Sequence, residues 1–167
     1  MAVRRKCFVS YHQADKPVVD RFIQTFGANF IRRGMEMTDD IIGSNDTDYV
    51  MRRIRQLYLE DSTVTLVLIG QCTCARRYVD WEVQASLRQP ADGFPNGLVA
   101  IQLAESFRSL PERVQANVDS GYAKFYKYPS SQSGFNGIVE EAFDARTTLA
   151  RKIVNKRERF SNNRKCP

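Results

Sequence analysis

Short apolar runs alternate along the chain with longer amphipathic segments. The runs KCFVSY, STVTLVLIG, LVAIQLA and AKFYKY are rich in β-branched and aromatic residues, which is typical of strands. A further short strand is predicted at GMEMTDD. The run STVTLVLIG is almost continuously apolar, and such strands are usually buried on both faces. It is therefore expected at the centre of a parallel sheet.

Helices are predicted between these runs. The first has Asp15 as a possible N-cap and Pro17 in its first turn, and it is expected to run to about Arg33. The others are predicted at YVMRRIRQLYL, with Asp46 or Asp48 as the cap, at residues 76–88, and from about Phe135 into the C-terminal region.

Five strands alternating with helices predict an α/β fold, a flavodoxin-like three-layer sandwich with a five-stranded, mostly parallel sheet. The length of 167 residues, 43% of them hydrophobic, suits a single domain, expected over residues 1–150 with a basic helix end and tail at 151–167. Ligands of such sheets bind beyond the carboxyl ends of the strands. Those ends correspond to the loops at 10–15, 39–46, 70–76 and 104–112.

Two function classes that share this fold are disfavoured by its loops. A response regulator needs a phosphoacceptor aspartate after the third strand, where LVLIGQCTC has none. A flavodoxin needs a phosphate-binding loop after the first strand, and SYHQADKP contains no glycine. A different chemistry is expected at this edge of the sheet.

The positive charge is concentrated at the C-terminus. From Arg151 onward there are seven Lys and Arg residues and one acid, Glu158, which accounts for the whole formal charge of +6. A basic tail can bind nucleic acid, acidic lipid or an acidic protein. Few aromatic residues lie among the basic ones here, however, and this favours a solvated helix end and a disordered terminus. Nucleic acid is therefore not expected as a partner, and deletion of residues 157–167 is expected to leave folding nearly unchanged.

The four cysteines are Cys7, Cys72, Cys74 and Cys166, and their spacing fits no disulfide framework or zinc pattern. His12 is the single histidine, so no metal site is expected. A reduced, cytoplasmic protein is the simplest interpretation. No apolar run has the length of a signal peptide or a membrane span, so no membrane association is expected.

The helix predicted at 76–88 carries an acid in an unusual place. Val79, Val83 and Leu87 form its apolar stripe, and Tyr78 and Glu82 form a second i, i+4 pair beside that stripe.

The charges on this helix are not all matched. Asp80 has Arg76 and Arg77 at helical spacing, whereas Glu82 has no cation three or four residues away. Glu82 is either a surface acid with a partner elsewhere in the fold or a candidate active-site carboxylate, and the sequence pattern leaves both interpretations open.

Three motifs together resemble those of TIR domains: FVSYHQAD at 8–15, STVTLVLIG at 62–70 and RRYVDWEV at 76–83. They are most similar to those of the TIR-like subunit of the bacterial Thoeris anti-phage defence system. The resemblance covers most of residues 3–103 and fades afterwards. It implies the same fold class as the hydrophobic pattern.

The resemblance also implies roles for individual residues. Glu82 stands at the place of the catalytic glutamate of a W-x-x-x-E motif, and Tyr78 stands where that motif has tryptophan. The segment of Ser10, Tyr11 and His12 at the end of the first strand would contact the substrate together with Tyr78 and, from the loop at 39–46, Asp39.

The implied activity is cleavage of the nicotinamide–ribose bond of NAD, as substrate and without a cofactor. The product would be a cyclic ADP-ribose isomer that signals to a downstream effector, and copies of the domain would self-associate through their TIR surfaces. Nothing in the sequence separates cyclisation from hydrolysis. The alternative is a non-catalytic TIR module that acts only through protein interactions.

Overall fold

The computed structural model describes residues 3–33 and 44–166. The strands are β1 (Arg5–Ser10), β2 (Phe30–Arg33), β3 (Val64–Ile69), β4 (Gly97–Gln102) and β5 (Lys124–Tyr126). The helices are α1 (Lys16–Phe26), α2 (Thr47–Arg53), α3 (Arg77–Leu87), α4 (Glu112–Asp119) and α5 (Gln132–Thr148). Helix α2 continues into a π-helical segment, Ile54–Leu59.

The five described strands form one parallel sheet with the order β2-β1-β3-β4-β5. The order reverses direction next to β1, as in flavodoxin-like folds. Strand β3 lies at the centre and is buried along its whole length, as its apolar run predicts. The predicted fold class is therefore confirmed.

Helices cover both faces of this sheet. Helices α1 and α5 pack with Phe22, Phe26 and Phe135 against one face, where they meet side chains such as Leu66 and Leu68 of β3. Helices α3 and α4 cover the other face. The side chains of α2 form a smaller cluster on that same side, together with Phe8 of β1, Trp81 and Ala85. Alternate residues of β1 thus face opposite layers.

The second strand and the end of the first helix differ from the prediction. Helix α1 ends at Phe26 instead of continuing to Arg33, and a 3-10 turn at Gly27–Asn29 leads directly into β2. The helical pattern misses this end because Phe30 is apolar and buried, as a residue on the inner face of a helix would be. Phe30 is instead the first residue of β2, and its ring packs against Phe135. The segment GMEMTDD, residues 34–40, lies outside the described residues.

The C-terminal segment, residues 153–166, is packed against the domain. It has no regular secondary structure, yet the Trp81 side chain donates a hydrogen bond to the Phe160 carbonyl at 2.7 Å. The Asn117 amide donates to the Val154 carbonyl at 2.8 Å, and the Arg164 backbone N–H donates to the Ala75 carbonyl at 2.8 Å. The expectation of a disordered tail is wrong, because polar composition alone does not reveal backbone groups that bind elsewhere in the fold. The expectation that deletion of residues 157–167 leaves folding nearly unchanged stays a prediction. The boundary at residue 150 stays a prediction.

A disulfide joins the end of this segment to the loop after β3. Cys72 and Cys166 are 94 residues apart in sequence, and their Cα atoms are 5.3 Å apart. That separation is usual for a disulfide. The expectation that all four cysteines are reduced is therefore wrong for this pair, while Cys7 and Cys74 are free. The pairing could not be predicted from spacing because the fold of the C-terminal segment brings the two residues together.

Within residues 3–33 and 44–166, no helix is both long enough and apolar enough to cross a membrane. Across the same residues, no three side chains of the metal-binding types lie together in a group that could hold a metal ion.

Candidate functional site

The site lies at the carboxyl-terminal edge of the sheet, where β1 meets helix α3. Ser10 is the last residue of β1 and pairs in register with Val67 of β3. Its side chain lies on the face covered by α3, two residues after Phe8, which packs on that same face. The loop after β3 leads back into α3 at Arg77, so this helix crosses the sheet beside the end of β1.

Ser10 and Glu82 are in direct contact. The Ser10 hydroxyl donates a hydrogen bond to Oε2 of Glu82 at 2.5 Å. Ser10 is 1% exposed and Glu82 is 9% exposed, so the pair is shielded from water. The two residues are 72 positions apart in sequence, which is why a helical pattern alone could not show this contact.

Burial dominates the acidity of Glu82. It raises the pKa of this carboxyl to about 8, while the hydrogen bond from Ser10 partly opposes the rise. Among the described residues, no arginine, lysine or histidine forms an ion pair with Glu82. A buried carboxyl without a cationic partner is costly to ionise, and a ligand that brings positive charge would favour its ionised form.

The acid two residues earlier has a different environment. Asp80 is also buried, but the Arg113 guanidinium donates to its Oδ1 at 2.9 Å, and the Phe160 backbone N–H donates to its Oδ2 at 3.0 Å. The expected pairing of Asp80 with Arg76 and Arg77 is therefore wrong. Helical spacing suggested it, but Arg113 of α4 reaches the carboxylate from the neighbouring helix.

The two arginines at the start of α3 bind the C-terminal segment instead. The Arg76 guanidinium donates to the Arg164 carbonyl at 2.9 Å, and the Arg77 backbone N–H donates to the Asn163 side chain at 3.0 Å. Together with the disulfide, these bonds hold the loop that leads from β3 to the site. Arg76 and Arg77 thus stabilise the structure at the edge of the site.

Tyr78, one turn before Glu82, is part of an aromatic group. Its ring packs edge-on against Trp81 with a centroid separation of 5.4 Å, and its hydroxyl accepts a hydrogen bond from Arg77 at 3.0 Å. The ring also packs against the cluster formed by α2, Phe8 and Trp81. Its role in substrate binding stays a prediction.

Tyr11 and His12 follow Ser10 in the chain, and their side chains have different environments. Tyr11 packs with the core on the α1 and α5 side, so its ring lies on the opposite face from Glu82. His12 is half-buried, and burial lowers its pKa, as does the nearby charge of Arg76, whereas Asp15 opposes this effect. His12 is therefore a neutral imidazole at neutral pH. Asp39 lies outside the described residues, and its assignment also stays a prediction.

Asp15 also lies at this edge of the sheet, in the predicted strand-end loop at 10–15, although the sequence pattern interpreted it only as a helix N-cap. It occupies the N-cap position of α1 but makes no capping hydrogen bond with its side chain. Its Oδ2 is buried and has no hydrogen-bond partner among the described residues. Burial raises the pKa of Asp15, and the neighbouring His12 and Thr73 oppose this rise. The sequence predicted Asp15 as a helix cap, whereas in the structure its carboxyl lies at the ends of β1 and β3.

Gly70 makes this approach of Asp15 to the end of β3 possible. A β-carbon at residue 70 would lie 2.1 Å from the Asp15 Oδ2, which is far inside van der Waals contact. The Gly70 backbone N–H donates to the Thr73 hydroxyl at 2.8 Å and fixes the start of the following loop. Only glycine therefore fits here without displacing the Asp15 carboxyl.

Fold and site together define a flavodoxin-like α/β domain with a buried serine–glutamate pair at the carboxyl-terminal edge of its parallel sheet. Residues 8–106 match the family model of the Thoeris protein ThsB, TIR-like domain, and the chain belongs to this family. The match spans both Ser10 and Glu82. A search of curated proteins found no match. The predicted resemblance to the TIR-like subunit of Thoeris is thereby confirmed.

Proposed function

We propose that this protein cleaves the bond between nicotinamide and ribose in NAD, with Glu82 as the catalytic residue. The observation that carries the proposal is the buried carboxyl of Glu82, which accepts a hydrogen bond from Ser10 and has no cationic partner among the described residues. The nicotinamide–ribose end of NAD is a cation. It supplies the missing positive charge.

The chemistry needs little more than this carboxylate. As the bond between ribose C1′ and the nicotinamide nitrogen breaks, its electron pair returns to the ring, and nicotinamide leaves as a neutral molecule without a proton. Positive charge then moves onto the ribose as an oxocarbenium ion. A carboxylate held beside that carbon stabilises the transition state more than the ground state, and burial strengthens the effect.

The raised pKa of Glu82 is consistent with a substrate-bound function. The free protein holds Glu82 mostly protonated at neutral pH, since its pKa is about 8. A bound cation within a few ångströms lowers the pKa of a carboxyl. Substrate binding therefore favours the ionised form that catalysis requires. In this proposal Ser10 is a positioning residue that holds Oε2, which leaves Oε1 for a ribose hydroxyl of the substrate.

The substrate contacts follow the family resemblance and the position of each residue. His12 follows Ser10 by two residues, just beyond the end of β1, and Tyr78 lies one turn before Glu82 on α3. Tyr11 packs on the other face of the sheet, so its contribution is limited to shaping the start of the loop. Asp39 would act from the loop at 39–46.

We further propose that the product is a cyclic ADP-ribose isomer, formed in the cytoplasm as a signal to a downstream effector in anti-phage defence. Attack by the adenosine end of the same molecule is intramolecular, and effective molarities for well-oriented groups reach about 10⁵ M or more. Such capture succeeds only where water is excluded. A neighbouring copy of the domain, joined through TIR surfaces and the loop at 39–46, would complete the enclosure.

The test is an NAD assay on the purified protein, alone and with phage lysate or a crowding agent. Chromatography should show one nicotinamide per NAD consumed, together with a cyclic product distinct from linear ADP-ribose. Activity per molecule should rise with protein concentration if neighbouring copies complete the site. Absence of nicotinamide release under all these conditions would instead support the non-catalytic interaction module.

A further inference from the structure

A cavity lies at the amino-terminal edge of the sheet, on the side opposite to Ser10 and Glu82. Its volume is about 510 Å³, within the usual range of small-molecule sites. The residues before β3 and before β4 contribute to its wall, as do the end of the π-helical segment and the loop after α3. We call this cavity the arginine pocket, since Arg55, Arg88 and Arg146 line it.

Two of these three guanidinium groups have no hydrogen-bond or ion-pair partner among the residues that the structure describes. Arg146 donates a hydrogen bond to the Pro95 carbonyl at 3.1 Å and lies over the Phe94 ring at 5.7 Å. Over residues 3–33 and 44–166, by contrast, the side chains of Arg55 and Arg88 form no hydrogen bond or ion pair. Both therefore keep their donors available at the wall of the cavity.

The surroundings of Arg55 are strongly positive. Burial lowers its pKa, and the charges of Arg88, Arg159 and Arg52 lower it further, while Asp48 opposes them. Asp48 is 81% exposed, and its nearest contact with Arg159 is 4.0 Å. Three guanidinium charges from three parts of the chain thus act on Arg55 against one solvated carboxylate, and an anion bound beside Arg55 and Arg88 would relieve this repulsion.

The acidic residues of the lining do not neutralise these arginines. Asp61 is held by Lys6 at 2.6 Å and by Arg33 at 3.2 Å. The other two, Glu60 and Asp92, are exposed residues that water solvates. Within the described part of the chain, the lining therefore contains guanidinium groups that no acid pairs with, although it contains acids.

The chemistry of the pocket favours phosphate. Guanidinium groups bind phosphate oxygens through paired hydrogen bonds and lose less hydration than ammonium groups. Two guanidinium groups that have no partner in the described ranges line one cavity, and together they suit an anion with more than one phosphate. Phe94 is 52% exposed at the same cavity and offers a flat surface on which a base can stack. We propose that the arginine pocket binds a ligand that carries at least two linked phosphate groups, either a nucleotide or an inorganic polyphosphate.

The test measures binding by calorimetry on the intact chain at constant ionic strength. The probes are sodium pyrophosphate, tripolyphosphate and ADP, with sodium chloride of equal ionic strength as the reference. The test variant is Arg55→Gln with Arg88→Gln. The matched control is Arg21→Gln with Arg151→Gln, which removes the same charge from exposed positions on α1 and after α5.

The expected result is saturable binding that the test variant weakens about tenfold or more, because each of its two substitutions removes a charged hydrogen bond to phosphate. The control should stay within about twofold of the unchanged chain. ADP binding that exceeds pyrophosphate binding, and falls to its level in Phe94→Ala, would identify a nucleotide, whereas equal binding would identify the phosphate groups alone. Either of these two binding patterns supports the proposal.

Two results would overturn it. One is equal affinity in the test variant, the control and the unchanged chain, with thermal melting of the free proteins alike. The other is a response that sodium chloride reproduces. Pyrophosphate binding should also persist in Glu82→Gln, so that this site and the proposed NAD site fail or succeed separately.

Discussion

Replacing Glu82 by glutamine should stabilise the protein at neutral pH, although the same change should abolish activity. The Ser10 hydroxyl can donate to the glutamine carbonyl as it does to Glu82, and the two side chains have nearly the same volume. What the change removes is a carboxyl that burial keeps from ionising.

The magnitude follows from the pKa of the folded and unfolded states. In the unfolded chain Glu82 ionises near its ordinary value of 4.5, and in the folded protein near 8. Between these values the folded state holds more protons, so the free energy of unfolding of the unchanged protein falls as pH rises. At about 1.4 kcal/mol per pH unit, the loss reaches about 3 kcal/mol at pH 7 and about 5 kcal/mol above pH 8.

Glutamine does not titrate and escapes this loss. The difference between Glu82→Gln and the unchanged protein should therefore be near zero at pH 4.5 and should grow to about 3 kcal/mol at pH 7. For a domain of this size, that corresponds to a melting temperature higher by about 10 °C. Urea unfolding measured at pH 5 and pH 7.5 gives the difference directly.

Glu105→Gln is the matched control, because it makes the same substitution at an exposed position. It should change the free energy of unfolding little, and equally at both pH values. If Glu82→Gln is no more stable than the unchanged protein, or if its advantage does not grow between pH 5 and pH 7.5, the buried and unpaired state of Glu82 is refuted.

Three other predictions concern the pH profile, the buried ion pair and the C-terminal segment. The kcat/KM for NAD should rise about tenfold per pH unit towards pH 8 and then level off, since the free protein must ionise Glu82; a flat profile from pH 6 to 9 would argue against that requirement. Arg113→Leu should lower the free energy of urea unfolding by about 3–5 kcal/mol, because it leaves the Asp80 carboxylate buried without its cation, and a loss below about 1 kcal/mol would contradict this. Cys166→Ser should make trypsin cut the C-terminal segment several-fold faster than in Cys74→Ser, and equal rates would show that the disulfide does not hold that segment.

The hydrophobic pattern was a good guide wherever one face or both faces of an element are buried. The run STVTLVLIG correctly predicted the central position of β3, and Val79 and Val83 correctly predicted the buried side of α3. The pattern failed at β2, where Phe30 and Ile31 continue an apolar stripe across a turn. A four-residue strand is too short for its own periodicity to be recognised.

The site was predictable in part for the same physical reasons. Helical spacing correctly indicated that Glu82 has no cation on its own helix, but the contact with Ser10 arises only when β1 lies beside α3. Spacing also suggested partners for Asp80 that the structure does not use, since Arg113 comes from α4. Tertiary partners of charged groups, and the packing of a polar terminus, depend on the fold as a whole.

The most direct test of the central claim is nicotinamide release from NAD by the unchanged protein, Glu82→Gln and Glu105→Gln under one activating condition. The proposal predicts that Glu105→Gln matches the unchanged protein and that Glu82→Gln loses at least about 10³-fold in kcat/KM, the scale on which one electrostatic group contributes to catalysis. Circular dichroism at the assay pH should show all three folded. Turnover by Glu82→Gln within a few-fold of the unchanged protein would contradict the assignment of Glu82 as the catalytic residue.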